Sequence, residues 1–126
     1  MILVKLLKLP VLKRLIPSLL IRLLKILKQN RGYFKIKDTK MFLDFLDPID
    51  RELILHKEFE NLEINFLIEK INIYKINYFL DIGANCGYYS LIIGKNVKNI
   101  SIIAFEPNKE AFFKFSKSLD INSDLS

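Results

Sequence analysis

Hydrophobic and polar positions change period several times along the chain, and the changes mark its elements. Residues 33–45 alternate weakly, with Phe34 and Ile36 against Lys35 and Asp38, which predicts short strands. Asp47-Pro48-Ile49-Asp50 reads as a helix start, with Asp47 as cap, Pro48 in the first helical position and Asp50 in the first turn. Residues 51–55 then supply one or two turns. Phe59-Glu60-Asn61 precedes a longer helix, where Ile64, Leu67, Ile68 and Ile71 keep the i, i+3, i+4, i+7 spacing opposite Glu63, Glu69 and Lys70. Residues 78–82 form an apolar run broken only by Asp81, a strand apolar enough to be buried on both faces. A loop with Gly83 and Gly87 follows, then a helix over 88–94, a return loop over 94–99 and a second strand over 100–105. These two strands are expected to pair in parallel through a right-handed crossover. Pro107 ends the second strand. Asn108 caps a last helix, in which Phe112, Phe115 and Leu119 share one face.

The first 29 residues follow a different rule, with apolar clusters alternating with single basic residues. Pro10 and Pro17 interrupt any one long helix. From Ser18, a possible cap, Arg22, Lys25 and Lys28 fall on one face and Leu19, Leu20, Leu23, Leu24, Ile26 and Leu27 cover the remainder. The longest uncharged run, residues 15–21, is far short of the roughly 18–20 residues that a spanning helix needs. Lysines interrupt the apolar stretch and no small-residue cleavage site follows, against a secretory signal. Two placements fit: packing on the domain with the lysines in water, or lying on an anionic membrane surface. Asn30 to Gly32 reads as the turn that ends this helix.

Charge sharpens this division. The formal net charge is +6, but residues 1–40 carry eleven basic residues against Asp38 alone, and the remaining residues are mildly acidic. Basic character therefore belongs to one end, and no motif accompanies it that would point to nucleic acid. With 126 residues, 51% of them hydrophobic, the chain is long enough to bury a core. One cysteine, Cys86, excludes an internal disulfide and fits a reducing compartment; with a single histidine, His56, it offers no metal-ligand cluster. Cys86 reads as a small apolar filler and His56 as a surface or structural residue.

The candidate chemistry lies at residues 78–108. Strand, glycine loop, helix, strand and terminal acid is the front end of a nucleotide-binding α/β domain, and ligands of such sheets bind beyond the carboxyl ends of the strands. Glycine lets the backbone turn sharply and lets a ligand approach closely. The helix that begins near Tyr88 directs its positive end into the loop. Glu106 offers two acceptor oxygens, the number that both hydroxyls of a ribose require. The dinucleotide fingerprint needs three glycines, and the equivalent positions here are Gly83, Asn85 and Tyr88. No phosphate-binding G-x-x-x-x-G-K-[ST] loop is present either. Taken singly, the loop could be a simple turn, Glu106 a helix-start acid and Asp81 a satisfied carboxylate.

Asp81-Ile82-Gly83-Ala84-Asn85-Cys86-Gly87-Tyr88-Tyr89-Ser90, followed by Ala104-Phe105-Glu106-Pro107-Asn108, resembles the FkbM-type methyltransferases. These belong to the Rossmann-like class dependent on S-adenosylmethionine. The resemblance spans about residues 35–122 and includes, more loosely, Phe42-Leu43-Asp44, Asp47-Pro48 and Phe59-Glu60. It implies an α/β fold: the N-terminal part of a Rossmann-like parallel sheet, preceded by the basic amphipathic segment. The expected divisions are 1–32 for that segment, 33–77 for a lead-in and 78–126 for the start of the methyltransferase domain. By position, Gly83, Asn85 and Gly87 would surround the methionine and ribose portions of the cofactor. Asp81 would hold the loop or the methionine ammonium, Glu106 the ribose hydroxyls, and Glu60 the methionine end. Tyr88 and Tyr89 offer aromatic faces to a sulfonium, although core packing is expected of at least one. Cys86 departs from the aliphatic residue common at its position in that family.

The implied reaction is methyl transfer, usually to a hydroxyl oxygen of a small-molecule, glycan or lipid-linked acceptor; neither the acceptor nor a catalytic base is identifiable. Cytoplasmic placement is expected, peripheral at the inner membrane face if residues 1–29 take the second of their two placements. Two strands and their helices do not close such a sheet, so a fragment with weak cofactor binding and no turnover is expected. Two alternatives remain: a non-enzymatic membrane-surface or partner-binding fragment, and a nicotinamide-dependent oxidoreductase fragment.

Overall fold

A computed structural model describes residues 29–122 together with Leu19, Arg22 and Ile26. The chain divides into two units, Met1–Arg31 and Gly32–Ser126. In the first, Leu19, Arg22 and Ile26 are helical and exposed. The cap expected at Ser18 and the basic positions Lys25 and Lys28 lie outside the described residues. No helix among the described residues is long and apolar enough to cross a membrane.

The second unit is mixed α/β, with two small sheets and four helices among the described residues. Strands β1 (Arg31–Ile36) and β2 (Thr39–Asp44) form a hairpin across a two-residue turn. Lys37 turns it with a left-handed backbone, φ 51°. The Thr39 hydroxyl donates to the Ile36 carbonyl at 2.9 Å and closes the turn. Alternation puts Met41 and Leu43 in the core from one face of β2. Arg31 and Gly32 belong to β1 rather than to the expected turn. Ladder hydrogen bonds need only backbone, so pairing outruns the side-chain pattern there.

Helix α1 (Pro48–His56) starts as expected: the Asp47 carboxylate accepts from the Ile49 and Asp50 amides, with Pro48 in the first turn. It runs longer than the turns expected from its apolar residues. Helix α2 (Asn61–Ile73) buries Ile64 and Ile71 and packs on α3 (Tyr88–Asn96). Strand β3 (Tyr78–Ile82) leads through the glycine loop into α3, and β4 (Ser101–Phe105) returns parallel to β3. The register pairs Asp81 with Ala104 and Ile82 with Phe105, so both strands end together and their following loops lie side by side.

One expectation fails on these strands. Strand β3, expected to be buried on both faces, is open on one, and β4 is open beside it. Phe79, Ile102 and Ala104 pack against the core, but Tyr78, Leu80, Ile82, Ile103 and Phe105 are exposed. The two-residue period of a strand sends these five to the face opposite α3. Leu80→Thr should accordingly change stability by no more than about 0.5 kcal/mol. Leu91→Ala, in the buried α3 cluster, should cost about 2–5 kcal/mol. Urea unfolding of both variants checks the contrast.

Helix α4 (Lys109–Ile121) is capped by the Asn108 side chain, which accepts from the Glu110 and Ala111 amides. Its buried face is not the one that Phe112, Phe115 and Leu119 share. Phe115 is buried, but Phe112 is 55% and Leu119 39% exposed, and the other buried positions are Ala111, Lys114 and Ser118. Polar residues face inward because they satisfy buried partners. The Ser118 hydroxyl accepts from the Phe42 amide at 2.9 Å, while Asn122 accepts from the Lys40 amide and donates to its carbonyl. Helix α4 thus covers the free edge of β2 with side-chain hydrogen bonds, as an edge strand requires.

Candidate functional site

Glycine and asparagine shape the loop after β3 by adopting backbone that other residues resist. Gly83, Asn85 and Gly87 all have positive φ, at 81°, 51° and 84°. The two glycines differ in reason. A Cβ on Gly87 would stand 2.1 Å from the Phe115 ring, so packing alone demands glycine there. A Cβ on Gly83 would meet nothing within 4 Å among the described residues. Gly83 is exposed, and its open side leaves room for a ligand to approach the backbone. The Gly83 and Ala84 amides both donate to the Phe105 carbonyl, at 2.8 and 3.0 Å, and tie the loop to the end of β4.

Glu106 joins the two loops. Its Oε2 accepts from the Asn85 amide and its Oε1 from the Asn108 amide, each at 2.7 Å. A carboxylate has roughly four acceptor sites, so each oxygen keeps capacity for another donor. Held by two charge-assisted bonds, the group is fixed in direction. Two vicinal hydroxyls are the chemical partner such a carboxylate fits.

Asp81 is half-buried and its Oδ2 accepts from the Ser90 hydroxyl at 2.6 Å, fastening β3 to the first turn of α3. Glu60 is exposed at the start of α2, with φ 45°, a left-handed conformation that costs a glutamate about 1–2 kcal/mol. Strain of this order tends to collect at functional positions. Its carboxylate accepts from the Tyr89 hydroxyl at 2.6 Å, which ties this acid at the start of α2 to α3. Burial, then the Glu60 hydrogen bond and charge, push the Tyr89 phenol up, so it stays a donor. Tyr88 takes the core role: it is buried, edge-on to Phe59 and Tyr89, and its hydroxyl accepts from the Phe59 amide at 3.4 Å.

The fold therefore brings Asp81, Gly83, Asn85, Gly87 and Glu106 to the joined ends of β3 and β4, and links Glu60 to them through Tyr89. A groove of about 740 Å³ lies between α3, β4 and α4, lined by Leu91, Val97, Ile102 and Phe115 among others. None of the six candidates lines it, so the candidate site is the loop surface and not this groove. Ser90, the Tyr89 hydroxyl and the Asn108 amide were not expected in the site. Ser90 had a readable signal, nine residues from Asp81 across one strand–loop–helix unit.

Two buried charges stand behind the loop. Asp50 Oδ2 accepts from Lys114 Nζ at 2.5 Å and from the Asp44 amide at 2.8 Å, and Lys114 also reaches Asp47 at 3.2 Å. Burial raises the Asp50 pKa against the pull of Lys114. At Lys114 burial works downward, but the hydrogen bond and charge of Asp50, with those of Asp47, raise its pKa. Cys86, buried beside Asp50, is pushed well above its ordinary 9.0, first by burial and then by the Asp50 charge. His56 is exposed and pairs with Glu52 at 3.4 Å.

A thiol held protonated in the fold stabilises it fully below its unfolded pKa and loses that contribution as pH rises towards the folded value. Stability should thus decline from about pH 9 with a slope near 1.4 kcal/mol per pH unit, with Tyr88 and Lys114 adding to the loss from about pH 10 upward. Urea midpoints between pH 8 and pH 10.5 test this, and Cys86→Ala should flatten the first stage.

No family model, curated protein or solved structure matches the chain.

Proposed function

We propose that this chain carries the cofactor-binding edge of an S-adenosylmethionine-dependent methyltransferase of FkbM type, built on the start of a Rossmann-like sheet. The observation that carries the reading is Glu106, whose carboxylate bridges the Asn85 and Asn108 amides and so joins the D-I-G-A-N-x-G loop to A-F-E-P-N. The residues fit the group. Glu106 keeps acceptor capacity for the ribose hydroxyls, Gly83 leaves open space beside the backbone, and Glu60 and Asp81 place negative charge where a cationic methionine end would lie. Bound there, S-adenosylmethionine would supply a methyl group on a sulfonium leaving group, for in-line displacement by an acceptor hydroxyl that gives up its proton. The chain's own part is positional. Glu106 orients the ribose, Tyr89 holds the Glu60 carboxylate in place, and the Ser90 hydroxyl fixes the rotamer of Asp81. The acceptor would be a small-molecule, glycan or lipid-linked hydroxyl.

Calorimetry with S-adenosylmethionine and, separately, NAD⁺ tests the reading. Saturable heat with the first, at concentrations of about 1 mM or below, and none with the second supports it; about 1 mM corresponds to roughly −4 kcal/mol. Binding of NAD⁺ alone would replace it with the oxidoreductase reading.

A second reading concerns residues 1–29. Leu19 and Ile26 are exposed apolar positions and Arg22 an exposed basic one, which favours peripheral contact with an anionic inner-membrane surface. Co-sedimentation of the full chain with anionic vesicles, reversed by salt, is the expected result. Equal recovery with neutral vesicles would remove it.

A further inference from the structure

Helix α4 meets the candidate loop directly at Gly87, where the Phe115 ring fills the space, and indirectly through Lys114, which grips Asp50 of α1; the Asp50 charge acts in turn on the buried Cys86 thiol. Cys86 and Gly87 both belong to the glycine loop. The same helix begins three residues after Glu106, so its placement also sets the Glu106 turn. Lys114 reaches Asp47 as well, the cap of α1, and Asp50 accepts from the end of β2. One ion pair therefore ties α4, α1 and β2 together behind the loop.

This arrangement is costly for what it contributes to stability alone. Lys114 and Asp50 are almost wholly buried, and Asp50 Oδ1 has no hydrogen-bond partner among the described residues. A pair of apolar side chains would fill such a space with no desolvation penalty. What an apolar pair lacks is direction: hydrogen-bonded charges hold a helix in one register, whereas apolar contacts permit several.

We propose that Lys114 and Asp50 are positioning residues, holding the Cys86–Gly87 segment and the Glu106 turn in the one relative register that binds cofactor. The part concerning affinity rests on the reading of this site as an S-adenosylmethionine site. Neither side chain touches the cofactor; both act through the loop and through α4.

The test uses the full chain with two readouts. The first is the S-adenosylmethionine dissociation constant of Asp50→Asn/Lys114→Met, which removes both charges together and so avoids a stranded one. Circular dichroism establishes that the variant is folded. Affinity should fall about tenfold, the scale of loss that a small misplacement of binding groups produces. The second readout is the set of backbone amide ¹H–¹⁵N shifts of Cys86, Gly87 and Asn108 without cofactor. In the folded double variant these three should move more than the amides of α2, which neither side chain of the pair touches. General loosening of the fold would move amides throughout the chain. Affinity within twofold of wild type in the folded double variant overturns the proposal. So do Cys86, Gly87 and Asn108 shifts that match those of wild type. Should the wild-type chain bind no S-adenosylmethionine, the functional reading falls, and these shifts alone decide whether the pair governs the loop.

Discussion

Lys114→Met lowers the stability of the folded chain by about 3–5 kcal/mol at neutral pH. The residue looks like a surface lysine in a helix rich in lysine, but it is 4% exposed and pairs with a fully buried Asp50. Removing the ammonium strands a carboxylate that already has one oxygen without a partner among the described residues. Asp50 can escape by taking up a proton, and this gives the loss a pH signature. Its pKa, raised by burial even beside Lys114, rises further without it. A carboxyl with a raised folded pKa contributes its stability at low pH and loses it as pH rises through that value. The variant should therefore be closest to wild type near pH 5 and furthest from it at pH 7.5 and above. Lys109→Met, on the exposed first turn of α4, should stay within about 0.5 kcal/mol at both. Urea titrations of wild type and both variants at pH 5 and pH 7.5 measure the difference. A Lys114→Met cost below about 1 kcal/mol at pH 7.5 would mean that the buried pair is not formed.

Gly87→Ala is the second large effect. Its left-handed backbone costs an alanine about 1–2 kcal/mol, and the new methyl would collide with the Phe115 ring, adding about 1–3 kcal/mol of overpacking. Gly83→Ala carries only the first cost, because its Cβ position is open. The two variants should thus differ by about 1–3 kcal/mol in stability, although both break one glycine of the same loop. Placing each in a Phe115→Ala background should shrink the difference, since it removes the ring that only Gly87 meets. Their effects on ligand binding should run the other way for their stability cost: Gly83→Ala, the less destabilised of the two, narrows the open approach to the backbone.

The elements were legible in the sequence where local chemistry decides them. Asp47 and Pro48 announce α1, Asn108 announces α4, and the period change around Gly83 places β3, α3 and β4 in parallel order. Faces were less legible. The apolar run at residues 78–82 suggested burial on both sides, but alternation leaves Tyr78, Leu80 and Ile82 exposed. Composition cannot tell an apolar face that is covered from one that is open. In α4, apolarity pointed to Phe112 and Leu119, whereas Lys114 and Ser118 face inward. Their partners, Asp50 and the Phe42 amide, lie more than sixty residues away, beyond any periodic signal. One hint was available: Lys114 falls three residues after Ala111 and one before Phe115, on the stripe that α4 must bury.

The candidate site shows the same division. Gly83, Asn85, Gly87 and Glu106 could be placed together from strand order alone, because both loops leave the same end of one parallel pair. The bridge of Glu106 to two amides, the tether of Asp81 to Ser90 and the link of Glu60 to Tyr89 depend on rotamers and on long-range packing. Cys86 was placed correctly as a buried filler, but the Asp50 charge beside it could not be read from its neighbours in sequence.

The central claim is that the joined loops after β3 and β4 bind S-adenosylmethionine. A titration of the ¹⁵N-labelled chain with this cofactor tests it most directly. The Gly83, Asn85 and Asn108 amides should shift saturably, with the same dissociation constant, while amides of the β1–β2 hairpin stay in place. Shifts absent from the loop amides at saturating cofactor, or confined to the hairpin, would contradict the account.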